Sequence, residues 1–85
     1  MDRQKVFQNL LEIINTIKHS SFSPEQVTEE SYLGGDLGVQ SVEMLEAMYD
    51  IQKSLDIKIG DKEMVGLYTI KDVVDLIERC HDRKS

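Results

Sequence analysis

The chain has 85 residues, which is enough for one domain. Its 10 basic and 16 acidic side chains give a net charge of −6 at pH 7. This balance excludes nucleic acid and anionic membrane surfaces as expected partners, because both are bound through basic patches. The single cysteine excludes an intrachain disulfide. With no apolar signal-peptide core and no run of ~18 apolar residues, the sequence predicts a cytoplasmic protein that does not enter the membrane.

The first predicted element is an amphipathic helix over residues 2 to 18. Apolar residues recur there at the i, i+3, i+4, i+7 spacing of one helix face, namely Val6, Phe7, Leu10, Leu11, Ile14 and Ile17. A long loop over residues 21 to 38 follows, because this stretch holds the only proline and three of the five glycines. Within the loop, Ser23 and Gln26 have the spacing of a capping box that could start one helical turn.

A second helix is predicted over residues 41 to 55. Its inward face is assigned to the apolar side chains Val42, Leu45, Met48, Tyr49 and Leu55. The sequence DIKIG, residues 56 to 60, alternates like a strand but is too short to form a sheet alone, so a loop is expected.

A short helix from residue 62 to about residue 66 is expected to be capped by Asp61. Thr69 and Asp72 have the capping spacing at the start of a last helix, which is predicted to end near His81. The apolar residues of this last helix are Ile70, Val73, Val74 and Ile77. The predicted fold is therefore all-α: one domain over residues 1 to 85, with three main helices, one short helix and a long first loop.

Charge is distributed unevenly along the chain. Residues 20 to 52 contain seven acidic residues and no lysine or arginine, whereas residues 53 to 85 contain seven of each sign. A solvated surface would explain such a run. An alternative is a docking surface for a basic partner, and the run surrounds one serine, Ser41.

Ser41 is predicted to open the second helix, where serine is a favoured N-cap. The N-terminus of a helix also stabilises a phosphate, so Ser41 suits the role of acceptor for a phosphoester made by another enzyme. A hydrolytic nucleophile is not favoured, because the flanking GVQSVE does not match G-x-S-x-G. A metal site is not favoured either, because His19 is distant in sequence from Cys80 and His81, which are adjacent and point apart on a helix.

The segment DLGVQSVEMLEAMYDIQKSLDIKI, residues 36 to 59, resembles the D-L-G-x-D-S-L signature of acyl carrier proteins and the acidic helix after it. YTIKDVVDLIERC, residues 68 to 80, resembles the last helix of that family. The resemblance implies that Ser41 receives 4′-phosphopantetheine from coenzyme A through a phosphopantetheinyl transferase. It implies a free-standing carrier, not an enzyme, that holds acyl groups as thioesters on this arm in fatty acid or polyketide biosynthesis.

The same resemblance implies a docking face on the second helix, made of Val42, Glu43, Met44, Glu46, Ala47 and Asp50. The implied partners are the transferase, acyltransferases or ligases, and synthases with basic patches. A monomer without metal is expected.

Two positions depart from the family signature. Gln40 stands where the family usually has Asp, and Val42 stands where it usually has Leu. Two alternatives stay open. One is an aminoacyl or peptidyl carrier of a nonribosomal pathway, although Gly34 and Gly35 lie further upstream of the serine than in those proteins. The other is a helical interaction module that is not modified.

Overall fold

A computed structural model describes residues 2 to 84, and for Lys84 it describes the backbone alone. In chain order the elements are α1 (Arg3–Lys18), α2 (Ser41–Leu55), a short 3-10 helix (Asp61–Met64) and α3 (Ile70–Lys84). The described residues contain no strand, although Tyr32 and Thr69 form one isolated bridge. The predicted all-α fold is confirmed. None of the described helices has the length and apolar composition needed to cross a membrane.

Helix α1 has the predicted core face. The side chain of Asp2 accepts a hydrogen bond from the Gln4 N–H at 2.9 Å, so Asp2 is the N-cap and the helix begins one residue later than predicted. The chain leaves the helix at His19, in the left-handed conformation with φ 52°. The predicted apolar stripe faces inward, with Val6, Leu10, Leu11 and Ile14 buried and Phe7 and Ile17 half-buried.

Helix α2 has the predicted bounds, but the prediction of its inward face was largely wrong. The buried residues are Met44, Ala47, Met48 and Ile51, and Leu55 is half-buried. Val42, Leu45 and Tyr49 lie outside, with exposed fractions of 62%, 44% and 52%. Both sets have helical spacing, so periodicity alone does not choose between them. The buried set includes a small alanine, which allows a neighbouring element to approach closely.

The connection from α2 to the 3-10 helix is a loop, as predicted, with Ile57 and Ile59 buried in the core. Gln52 accepts a hydrogen bond from the Ile59 N–H at 3.0 Å, which holds this loop against α2. The predicted cap at Asp61 was wrong, because Gly60 precedes the helix with an extended backbone and Asp61 is already its first residue. The helix ends at Met64, two residues earlier than predicted.

Helix α3 begins with the predicted capping pair. Asp72 accepts hydrogen bonds from the N–H groups of Tyr68 and Thr69 at 3.0 and 3.1 Å, and Thr69 Oγ1 accepts one from the Asp72 N–H at 3.2 Å. These bonds lower the pKa of Asp72, and the bond from Tyr68 has the largest effect. The helix continues to Lys84, three residues beyond the predicted end.

The first loop, residues 20 to 40, is tied to the start of α3 by backbone hydrogen bonds. Leu33 N–H donates to the Tyr68 carbonyl at 2.8 Å. Ile70 N–H donates to the Ser31 carbonyl at 3.1 Å, and Lys71 N–H donates to the Glu29 carbonyl at 2.7 Å. The first N–H groups of a helix have no partner within it, so the loop supplies carbonyls that α3 needs.

Two sets of side-chain contacts stabilise the first loop. Ser23 and Gln26 form a hydrogen-bonded turn without helical structure, with 2.9 Å between the Ser23 N–H and the Gln26 side chain. Further along, the Arg3 guanidinium bonds to Glu29 of the loop at 2.6 Å and to Asp75 of α3 at 2.8 Å, and it also contacts Glu78. Arg3 therefore joins the beginning of α1, the loop and α3.

Candidate functional site

Ser41 is exposed at the first residue of α2. The prediction that Ser41 is the N-cap was wrong by one position, because Gln40 has the extended backbone of the cap, with φ −87° and ψ 163°. Since capping does not depend on Ser41, its hydroxyl is available for chemistry. The N–H groups of the first helical turn, including those of Ser41 and Val42, have no carbonyl partner within the helix and point toward the same end. This end of α2 is therefore suited to a negatively charged group attached to Ser41.

Glu43 closes the first turn of α2. Its Oε1 accepts a hydrogen bond from the Gln40 N–H at 2.9 Å and another from Lys18 Nζ of α1 at 3.1 Å. The bond from Gln40 lowers the pKa of Glu43 most, and the bond from Lys18 lowers it further. Neither contact was predicted from the sequence, because glutamine is not a favoured N-cap residue and the pairing with Lys18 spans 25 positions.

The chain reaches Ser41 through a compact turn. The Asp36 carboxylate accepts a hydrogen bond from the Tyr32 N–H at 2.7 Å, and Val39 N–H donates to the Leu33 carbonyl at 2.8 Å. Leu37 is buried and anchors the turn in the core. Gly38 has φ 69°, a left-handed conformation that strains residues with a side chain, so glycine is needed directly before the final two residues of the loop.

An open groove with a volume of about 410 Å³ begins at Ser41 and runs between the first loop and the segment before α3. Two exposed tyrosines, Tyr32 and Tyr68, line it. The remaining lining residues are mostly apolar or glycine: Leu33, Gly34, Gly35, Val39, Met44 and Leu67.

Comparison with known proteins relates the chain to carrier proteins. No family model matches it. An acyl carrier protein from Coprothermobacter proteolyticus is 31% identical over 78 residues, which cover 92% of this chain and 93% of that protein. An acyl carrier protein from Wolinella succinogenes is 32% identical over 73 residues, covering 86% and 93%. A meromycolate extension acyl carrier protein from Mycolicibacterium aurum is 30% identical over 80 residues, covering 94% and 80%.

The chain belongs to the acyl carrier protein family. Its fold agrees with a solved member, since the crystal structure of an acyl carrier protein from Thermotoga maritima matches it with a TM-score of 0.87 at 21% identity. That match covers 100% of this chain and 96% of the other. The resemblance drawn from the segment around Ser41 and from the last helix is therefore confirmed at the level of the family.

The outer face of α2 in this member of the acyl carrier protein family combines apolar and acidic side chains. Val42, Leu45 and Tyr49 are exposed there, and so are Glu46 and Asp50. Two residues that the sequence assigned to docking do not lie on this face. Met44 and Ala47 have exposed fractions of 9% and 1%, because they belong to the stripe that packs into the core.

His19, Cys80 and His81 were considered as metal ligands from the sequence and were not favoured. Among residues 2 to 84, no three His, Cys, Asp or Glu side chains are grouped to hold a metal. Cys80 is buried, and burial together with the neighbouring Glu63 carboxylate raises the pKa of its thiol. A thiol with a raised pKa is a poor nucleophile, so Cys80 is a packing residue in this acyl carrier protein fold.

Proposed function

We propose that residues 1 to 85 form a single carrier domain that holds acyl intermediates on a 4′-phosphopantetheine arm attached to Ser41, in fatty acid or polyketide-type biosynthesis. The observation that carries the proposal is an exposed serine at the first residue of α2 in a chain of this family. The arm, when present, supplies a terminal thiol that holds the acyl group as a thioester. Partner enzymes perform the chemistry, and the carrier presents the cargo.

The loading step needs one reactive atom from this chain. Ser41 Oγ forms a bond to the phosphorus of coenzyme A that bears pantetheine, the hydroxyl proton passes to a base of the transferase, and adenosine 3′,5′-bisphosphate leaves. The positive end of the α2 dipole favours the phosphodiester that remains on Ser41. The exposed hydroxyl is open to the transferase without any rearrangement of the core.

The surroundings of Ser41 support two further parts of the proposal. The groove that begins at Ser41 offers a surface of mixed apolar and polar character on which an arm or its cargo can rest. On the outer face of α2, Val42, Leu45 and Tyr49 offer apolar contact, while Glu46 and Asp50 present charge to basic patches of the transferase, acyltransferases, ligases and synthases. Glu43 contributes to the same field, although its carboxylate is engaged with Gln40 and Lys18.

Intact mass after incubation with coenzyme A and a broad-specificity transferase tests the attachment. We expect the chain to gain one phosphopantetheine, the Ser41→Ala variant to gain none, and the Ser54→Ala variant to behave as the unaltered chain. Ser54 is a suitable control because it is an exposed serine near the other end of α2. A Ser41→Ala variant that still gains the group would overturn the assignment of Ser41.

The same assay separates the carrier from the other classes. If several transferases leave the chain unmodified, a helical interaction module explains the fold better. If the loaded chain accepts amino acids from adenylating enzymes and no acyl groups from acyltransferases, it serves a nonribosomal pathway. The presence of Gln40 in place of the usual Asp gives no structural support to the interaction module. The Gln40 side chain is exposed, and its backbone N–H makes the capping contact with Glu43.

A further inference from the structure

Lys18, at the end of α1, contacts the first turn of α2, which begins at Ser41. Its Nζ is 3.1 Å from Glu43 Oε1, and the two side chains have exposed fractions of 23% and 21%. A methyl group placed on Gly38 would lie 3.9 Å from the same Nζ. Lys18 Nζ therefore lies near Gly38, before Gln40 and Ser41, and contacts Glu43, after them.

The charge of Lys18 is unusual at this place. Residues 20 to 52 contain seven acidic residues and no lysine or arginine, and the cation that meets Glu43 comes from α1. A phosphodiester on Ser41 would add a negative charge two positions from Glu43. The phosphodiester and the Glu43 carboxylate would repel each other, because both are negative and lie in a partly desolvated place. The positive charge of Lys18 reduces that repulsion.

We infer that Lys18 is a positioning residue for the modification of Ser41. It holds the turn from Gln40 to Glu43 in the geometry that presents the Ser41 hydroxyl, and it offsets the charge of Glu43 beside the new phosphate. This inference rests on the proposed function. Lys18 does not touch the reacting atoms, and it acts through Glu43 and the backbone at Gln40.

The kinetic effect of replacing Lys18 distinguishes a role in positioning Ser41 from a role in docking to the transferase. Lys18→Met makes the carrier more acidic, so an effect on docking to a basic transferase would leave the KM for the carrier unchanged or lower it. Loss of positioning acts on the bound complex and lowers kcat, because small displacements of a reacting group are costly. The two explanations therefore predict changes in different constants.

Steady-state loading by a broad-specificity transferase with coenzyme A tests the inference. For Lys18→Met we expect kcat to fall about tenfold with no rise in the KM for the carrier. Lys18→Arg should restore most of kcat, because a guanidinium also donates to Glu43. Lys5→Met is the matched control, since it removes the same charge from an exposed position near the other end of α1, and it should leave both constants unchanged. An unchanged kcat in Lys18→Met would overturn the inference.

Two further measurements keep a loss of folding apart from a loss of positioning. In the unmodified chain, amide hydrogen exchange at Gln40 should be about threefold faster in Lys18→Met than in Lys5→Met, because the acceptor Glu43 is less firmly held. In a Glu43→Gln background, Lys18→Met should lower kcat less, since the charge that Lys18 offsets is gone. Equal effects in both backgrounds would contradict a role through Glu43. If the unaltered chain is not loaded at all, the proposed function fails, whereas equal loading of the unaltered chain and Lys18→Met refutes only the role of Lys18.

Discussion

Asp36 and Tyr32 exchange two hydrogen bonds across the turn that leads to Ser41. Tyr32 N–H donates to Asp36 Oδ2 at 2.7 Å, and Asp36 N–H donates to the Tyr32 carbonyl at 3.0 Å. The pair closes the turn directly before the buried Leu37. The acid at the start of the DLG segment therefore shapes the loop, in addition to any contribution it makes to surface charge.

Replacing Asp36 with Ala should lower the free energy of unfolding by about 1 kcal/mol, because an exposed turn loses one charge-assisted hydrogen bond. Urea denaturation monitored by circular dichroism measures this. Asp61→Ala is the control, since it removes an equally exposed acid that accepts no capping bond. Equal effects of the two substitutions would show that charge, and not the bond to Tyr32, accounts for the change.

The face of α2 that packs into the core differs from the predicted one, and this reverses the expected effect of a substitution at Leu45. Leu45 was expected to face inward, which would make Leu45→Asp unfold the domain, but its exposed fraction is 44%. We expect Leu45→Asp to fold with a melting temperature close to that of the unaltered chain. Met48→Asp, three residues away and fully buried, should abolish cooperative melting, because a buried unpaired carboxylate is among the most damaging substitutions. The reverse order in thermal denaturation would show that α2 is turned the other way.

The contacts of Arg3 predict a dependence of stability on pH. The hydrogen bond from Arg3 is the main cause that lowers the pKa of Glu29 below its ordinary value of 4.5. A carboxyl whose pKa is lower in the folded state stabilises the fold above its ordinary pKa, and this contribution is lost as pH falls through the folded value. Arg3→Met should therefore cost about 1 kcal/mol at pH 7, a modest figure because the pair is partly exposed to solvent.

The difference between the unaltered chain and Arg3→Met should shrink as the pH falls from 4.5 through the lower folded pKa of Glu29, because the carboxylate that pairs with Arg3 becomes protonated over that range. Urea titrations at several pH values measure it. Lys5→Met removes one positive charge from the same helix at an exposed position and should show no such dependence. A constant difference from pH 7 to pH 3 would contradict the role assigned to Arg3.

Charge on the outer face of α2 should affect loading more than folding. Reversing Glu46 and Asp50 to Lys leaves the core untouched, because both side chains are exposed. The double variant should keep its melting temperature and load more slowly with the transferase. The loading rate of the unaltered chain should also fall with added salt, which screens charges beyond ~8 Å at physiological ionic strength.

The matched control for this reversal changes Glu25 and Asp61 to Lys, which are exposed acids outside α2 and give the same change in net charge. If both double variants load at the same rate, net charge alone sets the rate. The outer face of α2 would then be ordinary solvated surface.

Structural features that depend on neighbouring residues in the chain could be predicted from the sequence. The pairing of Thr69 with Asp72 was predicted correctly, because capping depends on residues within one turn. The start of α2 at residue 41 was also predicted correctly, although its cap is Gln40 and not Ser41. The inward face of α2 was not predicted correctly, because the helix has two apolar stripes. Tertiary contacts bury the stripe with Met44 and Ala47. The contact between Lys18 and Glu43 joins residues far apart in the chain, so no local pattern indicated it.

The backbone hydrogen bonds that join the first loop to α3 affect which positions of the loop can change during evolution. They use the backbone atoms of Glu29, Ser31 and Leu33, so the exposed side chain of Tyr32 takes no part in them. Neighbouring exposed positions such as Tyr32 can therefore mutate while the loop keeps its course over α3. The lining of the groove beside Ser41 can change at this position, and the helices need no compensating change.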